Sequence, residues 1–141
     1  MLCKQIMKRD IACASLDDAA QVAAARMRTD NIGFLPVCDA EGRVIGTITD
    51  RDIAVRVVAE DRPANTRIEE VMTREVIACG PNDDVHRAEQ LMGKYKKSRI
   101  ICVDEAGHPV GVISLSDIAQ HESSEQTART MRRVTLREVQ P

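Results

Sequence analysis

The sequence predicts an α/β fold made of two β-α-β-β-α units that pack against each other with pseudo-twofold symmetry. The first observation is an internal repeat, because a shift of 65 residues aligns 3–56 with 68–121 without a gap. The second is that turn glycines recur at this shift, as Gly42 and Gly107 show. The third is a composition with 43% hydrophobic residues but no Trp, one Phe and one Tyr, which predicts an aliphatic core. Repeats of this length are typical of units that bury their apolar faces against one another.

In the first copy, residue types and turn signals define each element. Ala20 and its successors are rich in Ala, Arg and Met, which favour a helix, and Asp17 or Asp18 is a suitable N-cap. Gly33 suits the left-handed conformation after the helix, and the turn at 39–42 connects two apolar runs as a hairpin. The predicted elements of the copy are a strand at 11–14, a helix at 20–28, strands at 34–38 and 43–48, and a helix at 50–59.

The second copy repeats this order, and a segment without a counterpart follows it. Its predicted elements are a strand at 76–79, a helix at 84–95, strands at 99–103 and 110–113, and a helix that opens at 114–117. The predicted organisation is unit 1 at 1–60, a polar linker at 61–66, unit 2 at 67–121 and a helical extension at 122–141. The extension has a narrow apolar stripe, so it either lies on its own protein or across a dimer interface, or docks a partner.

Charge and composition exclude several classes of function. Twenty basic and 22 acidic residues give a net charge of -2, and the scarcity of aromatic side chains disfavours single-strand binding, so no nucleic-acid partner is expected. The N-terminus carries early charges and no apolar run reaches membrane-spanning length. The sequence therefore predicts a cytoplasmic protein without a membrane partner.

Histidine and cysteine positions do not form a recognisable catalytic or metal-binding pattern. His86, His108 and His121 are far apart in sequence and are expected at the surface. The five cysteines contain no Cys-x-x-Cys pair, so most are expected to be small buried hydrophobes, with a redox role for Cys3 or Cys38 as the alternative. The sequence predicts neither a catalytic residue nor a metal site.

A short motif occurs twice, each time where a strand passes into a helix. Thr49-x-x-Asp52 and Ser114-x-x-Asp117 occupy equivalent positions of the repeat. The N-terminus of a helix offers unpaired N–H groups, so the hydroxyl and the neighbouring amides suit a phosphate. The carboxylate one turn later can accept hydrogen bonds from both hydroxyls of a ribose. The same spacing is also that of a helix capping box, which needs no ligand.

Several matching runs together resemble a known family. They are Ile6-Met7 and Val71-Met72 at the unit starts, Asp17-Asp18 and Asp83-Asp84 before the first helices, the run 32–37, and the two motif runs 46–52 and 111–117. In this combination and spacing the chain resembles the cystathionine-β-synthase (CBS) domain, whose tandem pairs are called Bateman modules. The resemblance covers nearly the whole chain and implies two CBS units in one module, which pair again as a homodimer.

The resemblance also implies a ligand and the residues that contact it. The ligand would be an adenosine-containing nucleotide such as AMP, ADP or ATP, in clefts between the copies, with no cofactor required. Ribose and phosphate would contact Thr49, Arg51, Asp52, Ser114 and Asp117. The adenine pocket would comprise Ile11, Ala12, Cys13, Phe34, Leu35 and Pro36 in one copy and Ile77, Ala78, Ile100 and Ile101 in the other.

The two sites are not expected to be equal, because Arg51 offers a bidentate donor to phosphate where its counterpart Ser116 carries no charge. The sequence therefore favours the first site. The function that follows is a stand-alone regulatory protein that is not an enzyme and signals by conformational change to a separate effector protein. The alternative is a ligand-free structural or interaction module in which both motifs are only helix caps.

Overall fold

The computed structural model describes the chain from Met1 to Val139, so residues 140 and 141 of the predicted extension lie outside the described residues. In chain order the α-helices of this part are α1 (Cys3–Ile6), α2 (Ala20–Asp30), α3 (Asp50–Ile53), α4 (Val85–Tyr95), α5 (Leu115–His121) and α6 (Ser124–Val139). The strands are β1 (Ala14–Ser15), β2 (Phe34–Cys38), β3 (Val44–Thr49), β4 (Ala78–Cys79), β5 (Arg99–Val103) and β6 (Pro109–Ser114). No helix described here has the length and apolar character to cross a membrane.

The two copies form two separate three-stranded sheets of identical topology, which confirms the predicted mixed α/β class. Their strand orders are β1-β2-β3 and β4-β5-β6. In each sheet the short first strand is parallel to the central strand and the hairpin is antiparallel. Equivalent residues share a register, since Ala14 pairs with Val37 as Cys79 pairs with Cys102.

The compact units differ from the sequence copies in their opening segments. The first unit consists of Ala12–Val76, and the second unit consists of Met1–Ile11 with the chain from Ile77 onward. In the second unit, Lys8 exchanges backbone hydrogen bonds with Val112 of β6. In the first unit, Thr73 does the same with Thr47 of β3. Each unit therefore takes the segment before its first strand from the other copy.

Aliphatic side chains and methionines fill both cores, as the composition predicts, and three cysteines join them in the second unit. In the first unit, α2 buries Ala20, Ala23 and Met27 against β2 and β3. In the second unit, α4 buries a wider face that includes Ala88, Leu91 and Met92. Helix α6 packs on α4 within the same unit. The extension is therefore a helix that lies on its own protein, one of its predicted arrangements.

The start and end of α2 differ from the prediction. Its N-cap is Ala19, which makes no side-chain cap, because the Asp18 carboxylate instead accepts a hydrogen bond from the Ser15 N–H and closes the preceding turn. Asn31, with φ 53°, is the left-handed residue after the helix, so the role predicted for Gly33 is wrong. A Cβ at Gly33 would lie 2.7 Å from a carboxylate oxygen of Asp50, an exposed side chain that would have to move to make room for it. In the second copy Asp84 does cap α4, accepting from the His86 N–H at 2.9 Å.

The first strands are shorter than predicted. They were expected at 11–14 and 76–79, but β1 and β4 cover two residues each, at Ala14–Ser15 and Ala78–Cys79. The helix expected at 50–59 begins as α3 and continues as a π-helical turn at Ala54–Val58. The register of β2 with β3 shifts between Val37 and Cys38, directly after Pro36.

Candidate functional site

The first Thr/Ser-x-x-Asp motif lies in the first unit, where β3 passes into α3. Thr49 is the N-cap, and its hydroxyl oxygen accepts a hydrogen bond from the Asp52 N–H at 3.0 Å. The Asp52 carboxylate accepts one from the Thr49 N–H, also at 3.0 Å. Both hydrogen bonds of a capping box are therefore formed. Arg51, between them, has an exposed side chain beside the start of the helix.

Two further side chains approach Asp52 from within the first unit. The Thr73 hydroxyl is 3.4 Å and 3.5 Å from the two carboxylate oxygens. Arg56 places Nη1 3.9 Å from Oδ1 and donates from the same nitrogen to the carbonyl oxygens of Val71 and Met72 at 3.0 and 2.8 Å. Asp52 thus connects the start of the helix to the opening segment of the second copy.

The second motif forms the same structure in the second unit, where β6 passes into α5. The Asp117 carboxylate accepts hydrogen bonds from the Ser114 N–H at 2.8 Å and from the Ser114 hydroxyl at 2.9 Å. The Asp117 N–H donates back to that hydroxyl at a longer 3.3 Å. The Asp117 side chain is 7% exposed, against 12% for Asp52. The second carboxylate is therefore the more enclosed and the more fully bonded of the two.

Lys8 faces the second motif, as Thr73 faces the first. The Lys8 ammonium lies 3.9 Å from Asp117 Oδ1, and its side chain is largely exposed. Sequence reasoning missed Lys8, Thr73 and Arg56. A signal for the first two was present, because the 65-residue shift pairs Lys8 with Thr73 next to the matched methionines of the unit starts. Their proximity to the motifs depends on the exchange of opening segments, which the repeat alone does not indicate.

The cross-strand neighbours of the two motifs also differ. Phe34 is the register partner of Thr49 on β2 and β3, and Arg99 is the partner of Ser114 on β5 and β6. Phe34 is half-buried, whereas Arg99 is exposed. The residue across the strand from the motif hydroxyl is therefore aromatic at the first site and cationic at the second.

The residues predicted to contact adenine separate into buried and accessible groups. Four of them lie in the cores and are at most about 2% exposed: Leu35, Pro36, Ile100 and Ile101. The other six keep exposed surface: Ile11, Ala12, Cys13, Phe34, Ile77 and Ala78. Ile11 belongs to the second unit and Ala12 to the first. Phe34 adjoins Thr49 directly, while Ile77 and Ala78 share a unit with Ser114.

The cysteines and histidines are distributed partly as predicted. His86, His108 and His121 are exposed, and four of the five cysteines are buried, Cys13 being the exposed one. Burial and the neighbouring Cys13 raise the pKa of the Cys38 thiol to about 12, which keeps that thiol protonated. Cys3, Cys79 and Cys102 are buried, as expected of most of the cysteines, and their Sγ atoms lie within 4.8 Å of one another. No Cys-x-x-Cys spacing in the sequence indicates this grouping.

The repeated fold and motif agree with the comparison to known families. The CBS domain profile matches residues 3–59 and 68–124. The chain belongs to the CBS domain family. Among its relatives, the CBS domain-containing protein YhcV of Bacillus subtilis is 35% identical over 125 residues, which cover 89% of this chain and 88% of YhcV.

Solved CBS structures share this fold. The CBS domain pair of protein MJ0100, solved with 5′-methylthioadenosine and S-adenosyl-L-methionine, is 32% identical with a TM-score of 0.76, and the match covers 85% of this chain and 94% of that pair. Hypoxic Response Protein I, solved with two coordinated zinc ions, is 27% identical with a TM-score of 0.79 over 87% of this chain and all of that one. This chain is therefore a CBS pair.

Proposed function

We propose that this CBS pair is a regulatory protein that binds an adenosine-containing ligand at Thr49–Asp52 and Ser114–Asp117 and passes its ligand state to a separate effector protein. One observation carries the proposal. Both units place a hydroxyl and a carboxylate together at a strand-to-helix passage, in a family in which a pair 32% identical to this one holds two adenosine derivatives. The role is regulation of another protein and not catalysis.

The carboxylates supply the recognition of ribose. An ionised Asp has about four lone-pair positions, and the cap uses a single backbone N–H at Asp52. The Thr73 hydroxyl at 3.4 to 3.5 Å is a long contact that a ribose hydroxyl would replace with a shorter one. Because Asp117 already accepts two short hydrogen bonds and is more enclosed, the Asp52 site is the stronger of the two in this proposal.

Cations near each motif would accommodate the rest of the ligand. At the first site Arg51 is positioned for phosphate, and Phe34 offers an apolar surface to the base. At the second site Arg99 takes the position of Phe34, the uncharged Ser116 takes that of Arg51, and the ammonium of Lys8 lies 3.9 Å from Asp117. We therefore expect the sites to differ in preference, with the base held more firmly at the first and anionic groups attracted to the second.

Ligand binding at Asp52 would alter the contacts of one particular segment. Residues around Val71 and Met72 are held by Arg56, which also lies 3.9 Å from Asp52, and by the contact of Thr73 with that carboxylate. A ligand that takes the carboxylate oxygens weakens these contacts and favours a different arrangement of the segment. Differential binding of this kind shifts a conformational equilibrium and supplies the signal.

The effector and a second copy of the chain both require exposed surface. Val58 and Val55 both lie on the π-helical turn and are 72% and 47% exposed, so this turn displays apolar surface to solvent. We propose that a homodimer covers them. Light scattering of the wild type and of Val55→Ser/Val58→Ser checks this, and a wild type that is monomeric at micromolar concentration refutes the dimer.

Calorimetric titration and thermal shift with AMP, ADP, ATP, S-adenosylmethionine and 5′-methylthioadenosine test the ligand. A ligand at a hundredfold excess over its Kd stabilises the fold by about 2.7 kcal/mol. Asp52→Asn keeps a carbonyl oxygen for the cap but loses the charge, so it should abolish the stronger site while preserving the melting temperature of the free protein. Asp117→Asn is the matched variant, and it should leave the stronger site intact.

The alternative, in which both motifs are only caps, also has an observation in its favour. Both capping boxes are complete without a ligand. This alternative predicts no thermal shift with any of the five compounds and equal behaviour of Asp52→Asn and wild type. That result would refute the proposed ligand function.

A further inference from the structure

Three buried thiols meet in the core of the second unit. Cys3 lies on α1, Cys79 on β4 and Cys102 on β5, and they are 0%, 5% and 0% exposed. The Sγ atoms of Cys3 and Cys79 are 3.7 Å apart, and those of Cys79 and Cys102 are 3.6 Å apart. In the sequence, Cys3 is 76 residues from Cys79, and Cys79 is 23 residues from Cys102. No local sequence pattern therefore indicates this thiol cluster.

The first unit provides an internal comparison for this cluster. Shifted by 65 residues, Cys3 corresponds to Ile68, Cys79 to Ala14 and Cys102 to Val37. Those three side chains are at most 5% exposed, and Ala14 pairs with Val37 in the register in which Cys79 pairs with Cys102. The same position of the fold is therefore filled by ordinary apolar side chains in one copy. Packing therefore does not require cysteine at these three positions, so we consider the chemistry of the thiols as the reason for their presence.

The spacing of the sulfur atoms fits a thiolate metal site. Zinc is bound by cysteine at about 2.3 Å, and the tetrahedral angle at that distance separates two sulfur ligands by about 3.8 Å. The observed separations of 3.6 and 3.7 Å are close to this value. The backbone carbonyl oxygen of Asp84 is 3.8 Å from the Cys3 Sγ, which places an oxygen donor beside the cluster for a fourth position.

We propose that the thiol cluster of Cys3, Cys79 and Cys102 binds one thiophilic cation of the zinc class. Thiolates select zinc, cadmium and copper(I) over magnesium, calcium and manganese. Binding releases the thiol protons, because the thiolate is the ligand. The site is separate from both Thr/Ser-x-x-Asp motifs and does not depend on the ligand proposed there.

The consequence of binding follows from where Cys3 lies. Cys3 is in the opening segment of the first copy, while the other two cysteines are in the sheet of the second copy. That segment is held to the rest of the unit by backbone hydrogen bonds such as Cys3 N–H to the Asp83 carbonyl at 2.8 Å. A metal shared by all three sulfur atoms would fasten the opening segment to β4 and β5. Metal loading should therefore raise the melting temperature and slow proteolysis near the N-terminus.

The chain itself supplies matched variants for the test. Cys3→Ile/Cys79→Ala/Cys102→Val installs the residues that the first unit uses at the same positions, so it should fold. Cys13→Ala/Cys38→Val is the reciprocal control, since Ala78 and Val103 occupy those positions in the other copy. Reduced full-length protein, freed of metal, is titrated with zinc by calorimetry and with cobalt(II) by absorption, which reports thiolate ligation directly.

Wild type and the Cys13/Cys38 control should bind one zinc per chain, show the cobalt–thiolate absorption and gain thermal stability on binding. The triple variant should show none of these three effects. Zinc uptake by the triple variant, or none by wild type, overturns the proposal. Should the triple variant fail to fold, X-ray absorption of zinc-loaded wild type decides, because three sulfur neighbours at about 2.3 Å are expected. Fewer than three, or a disulfide found in place of the metal, also overturns it.

Discussion

Glu89 should make the protein less stable as the pH rises through neutrality. It lies on the buried face of α4, 3% exposed, and its Oε1 has no hydrogen-bond donor among the described residues. Burial is the largest cause that raises the pKa of Glu89; hydrogen bonding from Gln126 and the proximity of His86 lower it, contact with Glu122 raises it, and together they place it at about 7. A protonated Glu89 can donate to the Glu122 carboxylate, whereas an ionised one is repelled by it.

The sign and size of the effect follow from linkage. The folded-state pKa of about 7 exceeds the ordinary value of 4.5, so the folded protein holds the proton more tightly. Its contribution to stability is complete below pH 4.5 and is lost as the pH rises through 7. At about 1.4 kcal/mol per pKa unit, the free energy of unfolding should fall by about 2 to 3 kcal/mol between pH 5 and pH 8. Glu89→Gln keeps an amide that can donate to Glu122 and should remove this part of the fall.

Urea unfolding followed by far-UV circular dichroism measures the effect at several pH values, since the chain has no Trp to serve as a fluorescent probe. The difference between Glu89→Gln and wild type should grow with pH, which isolates Glu89 from the charged groups that both proteins share. Those groups near it are His86, Glu122, Arg129 and Arg133. Glu125→Gln is the matched control, because that carboxylate is 77% exposed and should change stability by less than about 0.5 kcal/mol. Parallel pH curves for wild type and Glu89→Gln would refute the reasoning.

Two further predictions concern the opening segments and the cap. Gly46→Ala should lower the free energy of unfolding in urea by roughly 3 kcal/mol, because the new Cβ overlaps the backbone carbonyl oxygen of Thr73. Gly111→Ala should lower it by only about 1 kcal/mol, because its Cβ meets the flexible Met7 side chain. A larger loss for Gly111→Ala would contradict the packing of these segments. Thr49→Ala should lower the free energy of unfolding by about 1 kcal/mol through loss of the cap and Thr49→Ser should not, so equal losses would show that the hydroxyl does not stabilise α3.

The sequence predicted those features that depend on local patterns. Helices α2 and α4, both hairpins and the two capping motifs follow from residue type and turn chemistry within a few positions, and they are present in the structure. The errors occur where a side chain has two possible partners. Asp18 was equally suited to cap α2 or to close the preceding turn, and its carboxylate accepts the hydrogen bond that closes the turn. Asn31 adopts the left-handed conformation expected of Gly33, because Asn is one of the few residue types other than Gly that tolerate it.

What the sequence could not show is which copy supplies each opening segment. Met7 and Met72 begin two equivalent units in the repeat, but the contacts place Met7 against Gly111 and Met72 against Gly46. A 65-residue shift cannot distinguish this exchange from the direct arrangement, since both give the same alignment. The thiol cluster was missed for the same reason, because Cys3 reaches the other two cysteines only through the exchanged segment.

The exchange also explains how duplicated motifs can acquire different properties. Each motif carboxylate faces a residue encoded in the other copy, Thr73 for Asp52 and Lys8 for Asp117. A substitution in one opening segment therefore changes the electrostatics of the other copy's motif and leaves its own unchanged. Lys8 gives Asp117 a cation at 3.9 Å from the other copy, whereas Asp52 receives a hydroxyl from the other copy and has its cation, Arg56 at 3.9 Å, from its own copy. Two sites of common origin can thus diverge in ligand preference through residues outside the motifs, which keep their caps and the stability that those caps provide.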